Sequence, residues 1–265
     1  MIRNQEKIDQ VTGLYVAGLS TRQIAERTGI SKSTVGSIIK QAALGRDRST
    51  SQILGCRRST RVHPDWSFLP LSAGKAWLLG LIYGDGTLSR LGDRIAITSG
   101  DFDVIDNINT LFGNALAYDV PTSTYWRIRI HSKRLWQELR AQFGLTPHKS
   151  RTLPYPMLED AMKPHFVRGL LDSDGCWILD ARNPHRKLLK FRYVSLALPF
   201  ITSLRSDLIR YVGVSSLRKV YKGSGYIIDY SNRDAIAIGR WLYADSTAET
   251  RCARKFAIWS QFASG

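Results

Sequence analysis

The chain has 265 residues, of which 38 are Lys or Arg and 22 are Asp or Glu, so its formal net charge is +16 at pH 7. This length allows one large domain with an appendage, or two domains, and excludes a miniprotein that folds only with disulfides or a metal. The positive charge predicts a polyanionic partner, and nucleic acid is the first candidate.

Cysteines, histidines and apolar runs narrow the class of protein further. Cys56, Cys176 and Cys252 form no C-x-x-C pair, and the five histidines do not cluster with them, so no structural zinc site is expected. Apolar runs such as AWLLGLIY are too short to span a bilayer, and the polar start MIRNQEKIDQ lacks the apolar core of a secretory signal. We therefore expect a soluble, cytoplasmic protein of a reducing compartment that associates with the nucleoid.

Residues 1–44 are predicted to form a small all-α domain. Apolar residues recur from Ile8 to Ile39 at the period of three short helices, Ser31 is placed to cap the third helix, and Gly29 lies in the turn before it. The stretch TRQIAERTGISKSTVGSII resembles the helix-turn-helix units of resolvases and invertases. In that geometry the third helix enters the major groove and presents five residues to DNA: Ser31, Lys32, Ser33, Thr34 and Ser37. A three-helix packing module is the alternative, but the hydroxyl-rich face of the third helix favours a DNA reader.

Residues 45–65 are predicted to form a basic linker. This stretch is rich in Arg and Ser and has no sustained hydrophobic period. Arg57 and Arg58 are candidates for contact with a phosphate backbone, and a merely solvated tether is an equally open alternative.

The rest of the chain contains a repeat, which predicts half-domains at residues 66–153 and 154–265. LLGLIYGDG (78–86) and VRGLLDSDG (167–175) share one plan, and their aspartates, Asp85 and Asp174, lie 89 residues apart. Further on, residues 95–113 align with 195–213 at an offset of 100, so about eleven extra residues are expected near DARNPHRKLLK. Each half is predicted to contain a helix, two strands, a helix, two strands and a helix, which is an α+β fold with antiparallel sheets.

The predicted strands present a cationic face. Strand candidates are 87–91, 94–98, 115–120 and 125–131, with counterparts beginning at Cys176, Lys190, Val214 and Gly225. In RIRIH, alternation separates the basic residues from the two isoleucines. A solvated sheet face is the ordinary explanation, but the mostly cationic side favours DNA contact. The predicted contacts are Arg127, Arg129, His131, Lys190, Arg192, Arg218 and Lys222.

The two apolar runs are predicted to be helices that pack on each other. Small residues four apart, Gly80 and Gly84 in one run and Gly169 and Ser173 in the other, allow a close approach of the two backbones. Gly86 and Gly175 suit the left-handed position that ends a helix. The two aspartates are therefore expected to emerge side by side.

Two converging carboxylates repel each other, and a divalent cation relieves that repulsion. Hard oxygen ligands suit Mg²⁺, which usually takes one or two carboxylates and keeps several waters. Such a metal activates water and stabilises the departing 3′ oxygen of a phosphodiester. The pair Asp85 and Asp174 therefore predicts hydrolysis of both DNA strands at a pseudo-twofold site.

Both nonapeptides resemble the signature of the LAGLIDADG homing endonucleases, in the single-chain form with two copies, and the likeness covers about residues 66–260. The resemblance implies two half-domains forming a saddle over double-stranded DNA, in a monomer with internal pseudo-twofold symmetry. It also implies a long, partly degenerate target and staggered cleavage with short 3′ overhangs. The implied cofactor is Mg²⁺, with Mn²⁺ able to substitute.

The resemblance also implies roles for individual residues. Asp85 and Asp174 fall on the family's metal-binding positions, with the carbonyls of Gly84 and Ser173 as backbone ligands. Each half of such proteins carries a basic catalytic residue, and the matching positions here are Lys149 and Lys255. A solvated helix lysine is the alternative for Lys255. Tyr83 departs from the family's Asp at the sixth motif position, where Asp172 is kept, but that position is not a metal ligand.

Two other functions stay open at this point. A non-catalytic transcription regulator on the same scaffold would be expected to lose the acidic residues, and both are present. An RNA maturase would also use a basic surface, but the helix-turn-helix favours duplex DNA.

Overall fold

The structure is a computed structural model that describes residues 2–16, 19, 21–42, 66–122, 124–180, 188–217, 220–222 and 225–263. The chain divides into two compact units, Met1–Arg58 and Ser59–Gly265. The predicted linker with Arg57 and Arg58, and the predicted contact Arg218, lie outside the described residues. The four predicted domain ranges stay predictions.

The first unit contains the three helices that the sequence predicts. They are α1 (Ile2–Val16), α2 (Thr21–Thr28) and α3 (Lys32–Gln41). Each helix contributes at least one buried residue to the core, which consists of Val11, Ile24, Val35 and Ile39. Ser31 Oγ accepts a hydrogen bond from Thr34 N at 3.2 Å, which satisfies a free donor at the start of α3. Gly29 has φ +70° in the turn between α2 and α3, where a side chain would be strained.

The second unit contains two copies of one helix and strand order. The first copy is α4 (Ala73–Tyr83), β1 (Thr87–Leu88), β2 (Arg94–Ser99), α5 (Phe102–Leu111), β3 (Tyr118–Thr122), β4 (Tyr125–His131) and α6 (Lys133–Phe143). The second is α7 (Lys163–Ser173), β5 (Cys176–Asp180), β6 (Leu188–Ser195), α8 (Leu198–Asp207), β7 (Tyr221–Lys222), β8 (Tyr226–Ser231) and α9 (Arg233–Tyr243). A further helix, α10 (Ala253–Ser260), follows the second copy.

Each copy forms a four-stranded antiparallel sheet, and these confirm the predicted fold class. The strand orders are β1-β2-β4-β3 and β5-β6-β8-β7. Alternate residues of the central strands are buried, as Ile128 and Ile130 are in β4, so one face of each sheet covers the core. Within the described helices of both units, none has the length and apolar character that crossing a bilayer requires.

Two strand predictions need correction. The candidate 115–120 begins later in the structure, at Tyr118, and no strand begins at Val214. Val214 is a buried apolar residue that directly follows Gly213, which has φ +74° after the end of a helix. It therefore packs on the core without pairing to a strand, and single apolar residues do not distinguish these two states.

The predicted offset of 100 for the helices after β2 and β6 is wrong by four residues. Ser99 and Ser195 end equivalent strands 96 residues apart. Buried residues repeat at that same offset: Val104, Ile105, Ile108 and Phe112 match Phe200, Ile201, Leu204 and Leu208. A shift of four residues is about one helical turn, so it leaves the same face apolar and cannot be detected from the pattern. The second copy's extra residues are therefore not all located before β6. The offset between equivalent strand residues is 96 at Ser99 and Ser195 and reaches 100 at Trp126 and Tyr226, so four of them lie between β6 and β8, a stretch that includes α8 and its π-helical continuation Leu208–Val212.

Candidate active site

Helices α4 and α7 pack with their backbones in contact. A Cβ on Gly80 would lie 2.2 Å from the carbonyl oxygen of Phe166, and a Cβ on Gly169 would lie 2.1 Å from that of Trp77. No side chain fits at either position, so glycine is required where the helices cross. The predicted seam of small residues is confirmed.

The seam brings the ends of the two motifs together. A Cβ on Gly84 would lie 2.0 Å from Ser173 Oγ and 3.1 Å from Asp174 Oδ2. Because α4 ends at Tyr83 and α7 ends at Ser173, the two aspartates leave their helices at the same end of the seam.

The two glycines after the aspartates are required for a different reason from the predicted one. Neither Gly86 nor Gly175 has the left-handed backbone that was expected. A Cβ on Gly86 would lie 2.4 Å from the carbonyl oxygen of Ile82, and a Cβ on Gly175 would lie 2.7 Å from Leu171 Cα. The chain turns back across the last turn of its own helix at both places, and only glycine permits that approach.

Asp85 and Asp174 are open to solvent on one side, yet the surrounding protein changes their acidity. Burial, together with the charge of Asp174, raises the pKa of Asp85 to about 6. Burial also raises the pKa of Asp174, against the opposing attraction of Lys149 and Lys255. Within the described residues, no hydrogen bond reaches either carboxylate. The pair therefore holds unsatisfied negative charge.

Lys149 approaches this pair from the loop between the two copies. It begins a short 3₁₀ turn, Lys149–Arg151, after His148 in the left-handed region at φ 61°. Its side chain is 7% exposed, and Nζ donates to the carbonyl oxygen of Gly84 at 3.1 Å. Burial lowers the pKa of this lysine, whereas Asp174 and Asp85 oppose that shift.

Lys255 approaches the pair from α10, and it is not the solvated helix lysine that was kept as an alternative. The residue is 6% exposed. Its Nζ is within donating distance of four carbonyl oxygens at the end of α7: Leu171 (2.6 Å), Asp172 (2.9 Å), Ser173 (3.1 Å) and Gly175 (2.8 Å). A cation at a helix C-terminus is favourable because the free carbonyls there carry negative potential.

A buried arginine holds the C-terminal segment against α7, and the sequence offered no signal for it. Arg168 has no exposed surface and donates to the carbonyl oxygens of Thr250 (2.7 Å) and Leu242 (2.6 Å). Its NH2 lies 2.9 Å from His165 Nδ1. Further anchors reach the first copy, since Arg254 forms a bidentate ion pair with Asp101 at 2.7 and 2.8 Å. These contacts hold the segment that carries Lys255 against α7 and the first copy, so that its side chain reaches the end of α7.

The sixth motif positions are structural in both copies. Tyr83 donates from its hydroxyl to the carbonyl oxygen of Phe143 at 2.9 Å. Asp172 accepts from Trp77 Nε1 at 2.8 Å and from Cys252 N at 2.9 Å, and burial raises its pKa to about 6. Tyr83 thus links α4 to the end of α6, and Asp172 links α7 to the segment before α10.

Two cavities flank the carboxylate pair. One, of about 310 Å³, is lined by Lys149 and Asp174 together with Val194 of β6. The other, of about 570 Å³, is lined by Asp85 and Lys255 together with Thr98 and Tyr125 of the first sheet. Each cavity thus joins one aspartate and one lysine to the ends of central strands of one sheet.

The exposed sheet faces carry the predicted cations, but carboxylates that the sequence prediction missed lie beside them. Asp119 accepts from Arg127 NH2 at 2.6 Å and from Arg129 NH1 at 2.8 Å. In the second sheet, Lys190 pairs with Asp180 at 2.8 Å, and Arg192 pairs with Asp229. Asp229 could have been found from strand alternation, since it lies between the buried Ile228 and Tyr230 of β8 and therefore on the exposed face.

His131 and Lys222 differ in their placement. His131 lies opposite Arg94 in the ladder and on the same face as Arg129. Lys222 lies opposite Tyr226, whereas Tyr221 lies opposite the exposed-face residue Ile227. The register therefore does not put Lys222 on the cationic face, and its predicted placement there is wrong.

In the first unit, the five predicted DNA contacts of α3 are all exposed: Ser31, Lys32, Ser33, Thr34 and Ser37. Ser31 Oγ is also 2.7 Å from Thr34 Oγ1, so it serves as the helix cap while remaining at the surface.

The donor set at the seam fits a hard divalent cation. The carboxylate oxygens of Asp85 and Asp174 are unpaired within the described residues, and the carbonyls of Gly84 and Ser173 each accept one lysine hydrogen bond at 3.1 Å. A carbonyl oxygen has two lone pairs, so both carbonyls retain one. Oxygen ligands with two negative charges are those that Mg²⁺ prefers.

Comparison with known proteins gives one match in sequence and several in structure. The family described as the helix-turn-helix domain of resolvase matches residues 2–35, in agreement with the resemblance of the first unit. Curated protein sequences contain no match to the chain.

Solved structures resemble this chain over 71% to 73% of its length. A mutant of I-SmaMI has a TM-score of 0.49 at 14% identity, covering 73% of this chain and 91% of that chain. The I-SmaMI LAGLIDADG homing endonuclease bound to cleaved DNA has a TM-score of 0.46 at 14% identity, covering 73% and 88%. Full-length DUF199/WhiA from Thermatoga maritima has a TM-score of 0.46 at 14% identity, covering 71% and 58%. At these scores the similarities carry no argument about activity, which rests on the chain's own residues.

Proposed function

We propose that the chain is a site-specific, metal-dependent DNA endonuclease of the homing type, which cuts both strands of a long target and leaves short 3′ overhangs. The observation that carries the proposal is the meeting of Asp85 and Asp174 at one end of the α4–α7 seam, with a buried lysine on each side. The net charge of +16 supports a DNA substrate.

The proposed ligands of the metal are the carboxylates of Asp85 and Asp174 and the carbonyl oxygens of Gly84 and Ser173. When bound, Mg²⁺ supplies an activated water and stabilises the charge that develops on the departing 3′ oxygen. The two aspartates bind the cation only when ionised, and because their pKa values are raised in the metal-free protein, protons compete with the cation as the pH falls. Glycine at the seam keeps the two carboxylates close enough to share a cation.

The two lysines offset negative charge where the scissile phosphates would lie. Lys149 and Lys255 each line one of the two cavities beside an aspartate. The presence of one lysine in each cavity supports a site in which each cavity hydrolyses one of the two DNA strands. Because each lysine is hydrogen-bonded to a carbonyl, its ammonium is already positioned before DNA binds.

The sheets and the first unit are proposed to bind double-stranded DNA. Arg127, Arg129 and His131 share the exposed face of the first sheet, and Lys190 and Arg192 share that of the second. The resolvase-type helix-turn-helix supports a second contact, through the exposed residues of α3. A single chain with two internal copies supports action as a monomer.

The first test is cleavage of a duplex library that carries the DNA flanking the gene, in Mg²⁺ and in EDTA, with sequencing of the ends. We expect Mg²⁺-dependent breaks at one site with short 3′ overhangs. Asp85→Asn and Asp174→Asn should abolish cleavage while largely retaining binding, because only a ligand charge is removed. Asp106→Asn makes the same chemical change on an exposed surface of α5 and should cut normally.

Tight, specific binding with no break in Mg²⁺ or Mn²⁺ would overturn the nuclease. It would instead establish a transcription regulator that has kept the acidic residues. Preferential binding to intron RNA over duplex DNA would point to a maturase.

A further inference from the structure

The outer faces of the two sheets, meaning the faces turned away from the core, can be compared position by position. The ladder that ends in Ser99 and Trp126 corresponds to the ladder that ends in Ser195 and Tyr226. The first outer-face pair inward from that end is Thr98 with Arg127 in the first sheet. At the equivalent place the second sheet has Val194 with Ile227.

These first pairs differ in chemistry although they are equivalent in position. Arg127 offers a cation and several N–H donors, whereas Val194 and Ile227 offer only apolar surface. Val194 and Ile227 are partly accessible, so part of this apolar surface is open within the described strands. Ile178, which lies opposite Lys190 on the same outer face, is also partly accessible.

The balance of charge on the two faces also differs. On the first sheet Arg127 and Arg129 share one carboxylate, Asp119, and Arg94 lies on the same face opposite His131. On the second sheet Lys190 has Asp180 and Arg192 has Asp229, so each cation is neutralised by its own carboxylate. Counting only the described strands, the first face is cationic and the second is close to neutral.

Both first pairs border the proposed reaction site. Thr98 lines the cavity that contains Asp85 and Lys255, and Val194 lines the cavity that contains Asp174 and Lys149. Whatever these pairs contact in DNA is therefore close to the cut, one on either side of the centre of the target.

Arg127 is held in an orientation that suits base reading. It donates to Asp119 through Nε (3.3 Å) and NH2 (2.6 Å). A guanidinium has five N–H donors, so three remain for a ligand. A fixed arginine with free donors suits the O6 and N7 acceptors of guanine in the major groove, whereas an apolar side chain suits the methyl group of thymine.

We propose that the two half-sites of the target are chemically unequal, with a guanine read by Arg127 near the cut in one half and a thymine contacted by Val194 and Ile227 at the equivalent position in the other. This inference rests on the proposed binding of DNA by the sheets. Arg129 lies two residues along β4 from Arg127, about 7 Å, which is the length of about two base pairs. A second guanine preference is expected about two base pairs farther from the cut in the first half. The equivalent row of the second ladder also holds an arginine, Arg192, so no contrast between the two halves is expected at that position.

The test selects bound sequences from a randomised duplex library with the full chain in EDTA, so that binding is read without cleavage. We expect guanine at the Arg127 position to be preferred roughly 5- to 100-fold, and thymine at the equivalent position about fourfold. Arg127→Ile should remove the guanine preference at one position, and Ile227→Arg should create one in the other half. The double exchange should reverse the two half-sites.

Two further variants separate base reading from general attraction. Arg127→Lys keeps the charge but not the paired donors, so it should retain affinity and lose the guanine preference. Arg140→Ile removes a charge from the exposed surface of helix α6 and should leave the selected sequence unchanged. Thermal unfolding of every variant checks that it folds.

Three results would overturn the inference: the same base at both equivalent positions, no change of base with Arg127→Ile or Ile227→Arg, or a loss of affinity that is uniform across sequences, as a phosphate contact would give. Cleavage in Mg²⁺ is measured separately on the selected sites. If the chain selects unequal half-sites but does not cut them, this inference stands and the proposed nuclease function is overturned. If the chain cuts a target with equal half-sites, the nuclease function stands and this inference is overturned. Selection of no sequence overturns both.

Discussion

The ammonium nitrogen of Lys255 lies 3.1 Å from the carbonyl oxygen of Ser173, and it lies between 2.6 and 2.9 Å from three more carbonyls of the same helix end. Among the described residues, Lys149, its partner in the proposed chemistry, donates a hydrogen bond only to the carbonyl of Gly84. The two lysines therefore differ in how much of the fold depends on them.

Replacing Lys255 by Met should destabilise the protein, because the buried carbonyls at the end of α7 lose their donor. We expect a loss of about 2 to 3 kcal/mol in the free energy of unfolding. Lys149→Met removes one such bond and should cost about 1 kcal/mol. Urea denaturation of the two variants beside the wild type measures the difference, and equal losses would contradict the unequal roles.

The crossing of α4 and α7 should not tolerate a single methyl group. Gly80→Ala would place Cβ 2.2 Å from the carbonyl oxygen of Phe166, so the helices must separate. We expect a destabilisation of at least about 3 kcal/mol, as for severe overpacking. Gly36→Ala in α3 is the matched control, since its Cβ would meet nothing within 4 Å. That substitution should stabilise the first unit by about 0.5 to 1 kcal/mol, and thermal unfolding of both variants tests the contrast.

Removing one carboxylate should make the metal-free protein more stable while abolishing cleavage. Burial and the charge of Asp174 raise the pKa of Asp85 to about 6, above its unfolded value, so the folded state loses stability as the pH rises through that range. With allowance for solvent screening, Asp85→Asn should gain about 1 kcal/mol in EDTA at pH 7.5. Adding Mg²⁺ should raise the Tm of the wild type but not that of the double variant with Asp174→Asn. An equal rise in both proteins would mean that the cation binds elsewhere.

His165 should make the fold sensitive to acid. Burial, with help from the charge of Arg168, lowers the pKa of His165 to about 4. The unfolded chain binds this proton more readily, so the contribution is complete above about pH 6.5 and is lost as the pH falls toward 4. The wild type should lose up to about 3 kcal/mol over that range from this group.

His165→Gln keeps an acceptor for Arg168 but cannot titrate, and it is the control for this prediction. Denaturation at pH 7 and pH 5 should show a smaller loss in this variant than in the wild type. Comparing the two proteins cancels the opposite trend from Asp172, whose pKa is raised. Parallel losses would exclude His165 as the source.

The sequence by itself determined most of the elements and the seam. Gly80 and Gly84 lie four residues apart, as do Gly169 and Ser173, and that local pattern was enough to predict that the two helices meet. The alternation in RIRIH likewise predicted which face of β4 is exposed, since residues two apart in a strand share a face. Ser31 was recognisable as a cap because capping depends on neighbours three residues away.

Only the tertiary structure decided what each polar group touches. The partners of Lys255 lie 80 to 84 residues away in the chain, and no local pattern encodes such contacts. The four-residue error in aligning α5 with α8 has a similar origin, because a helix looks alike after each turn and only the ladder between strands fixes the register. Asp119, which neutralises part of the cationic face, was missed because its pairing with Arg127 depends on that register.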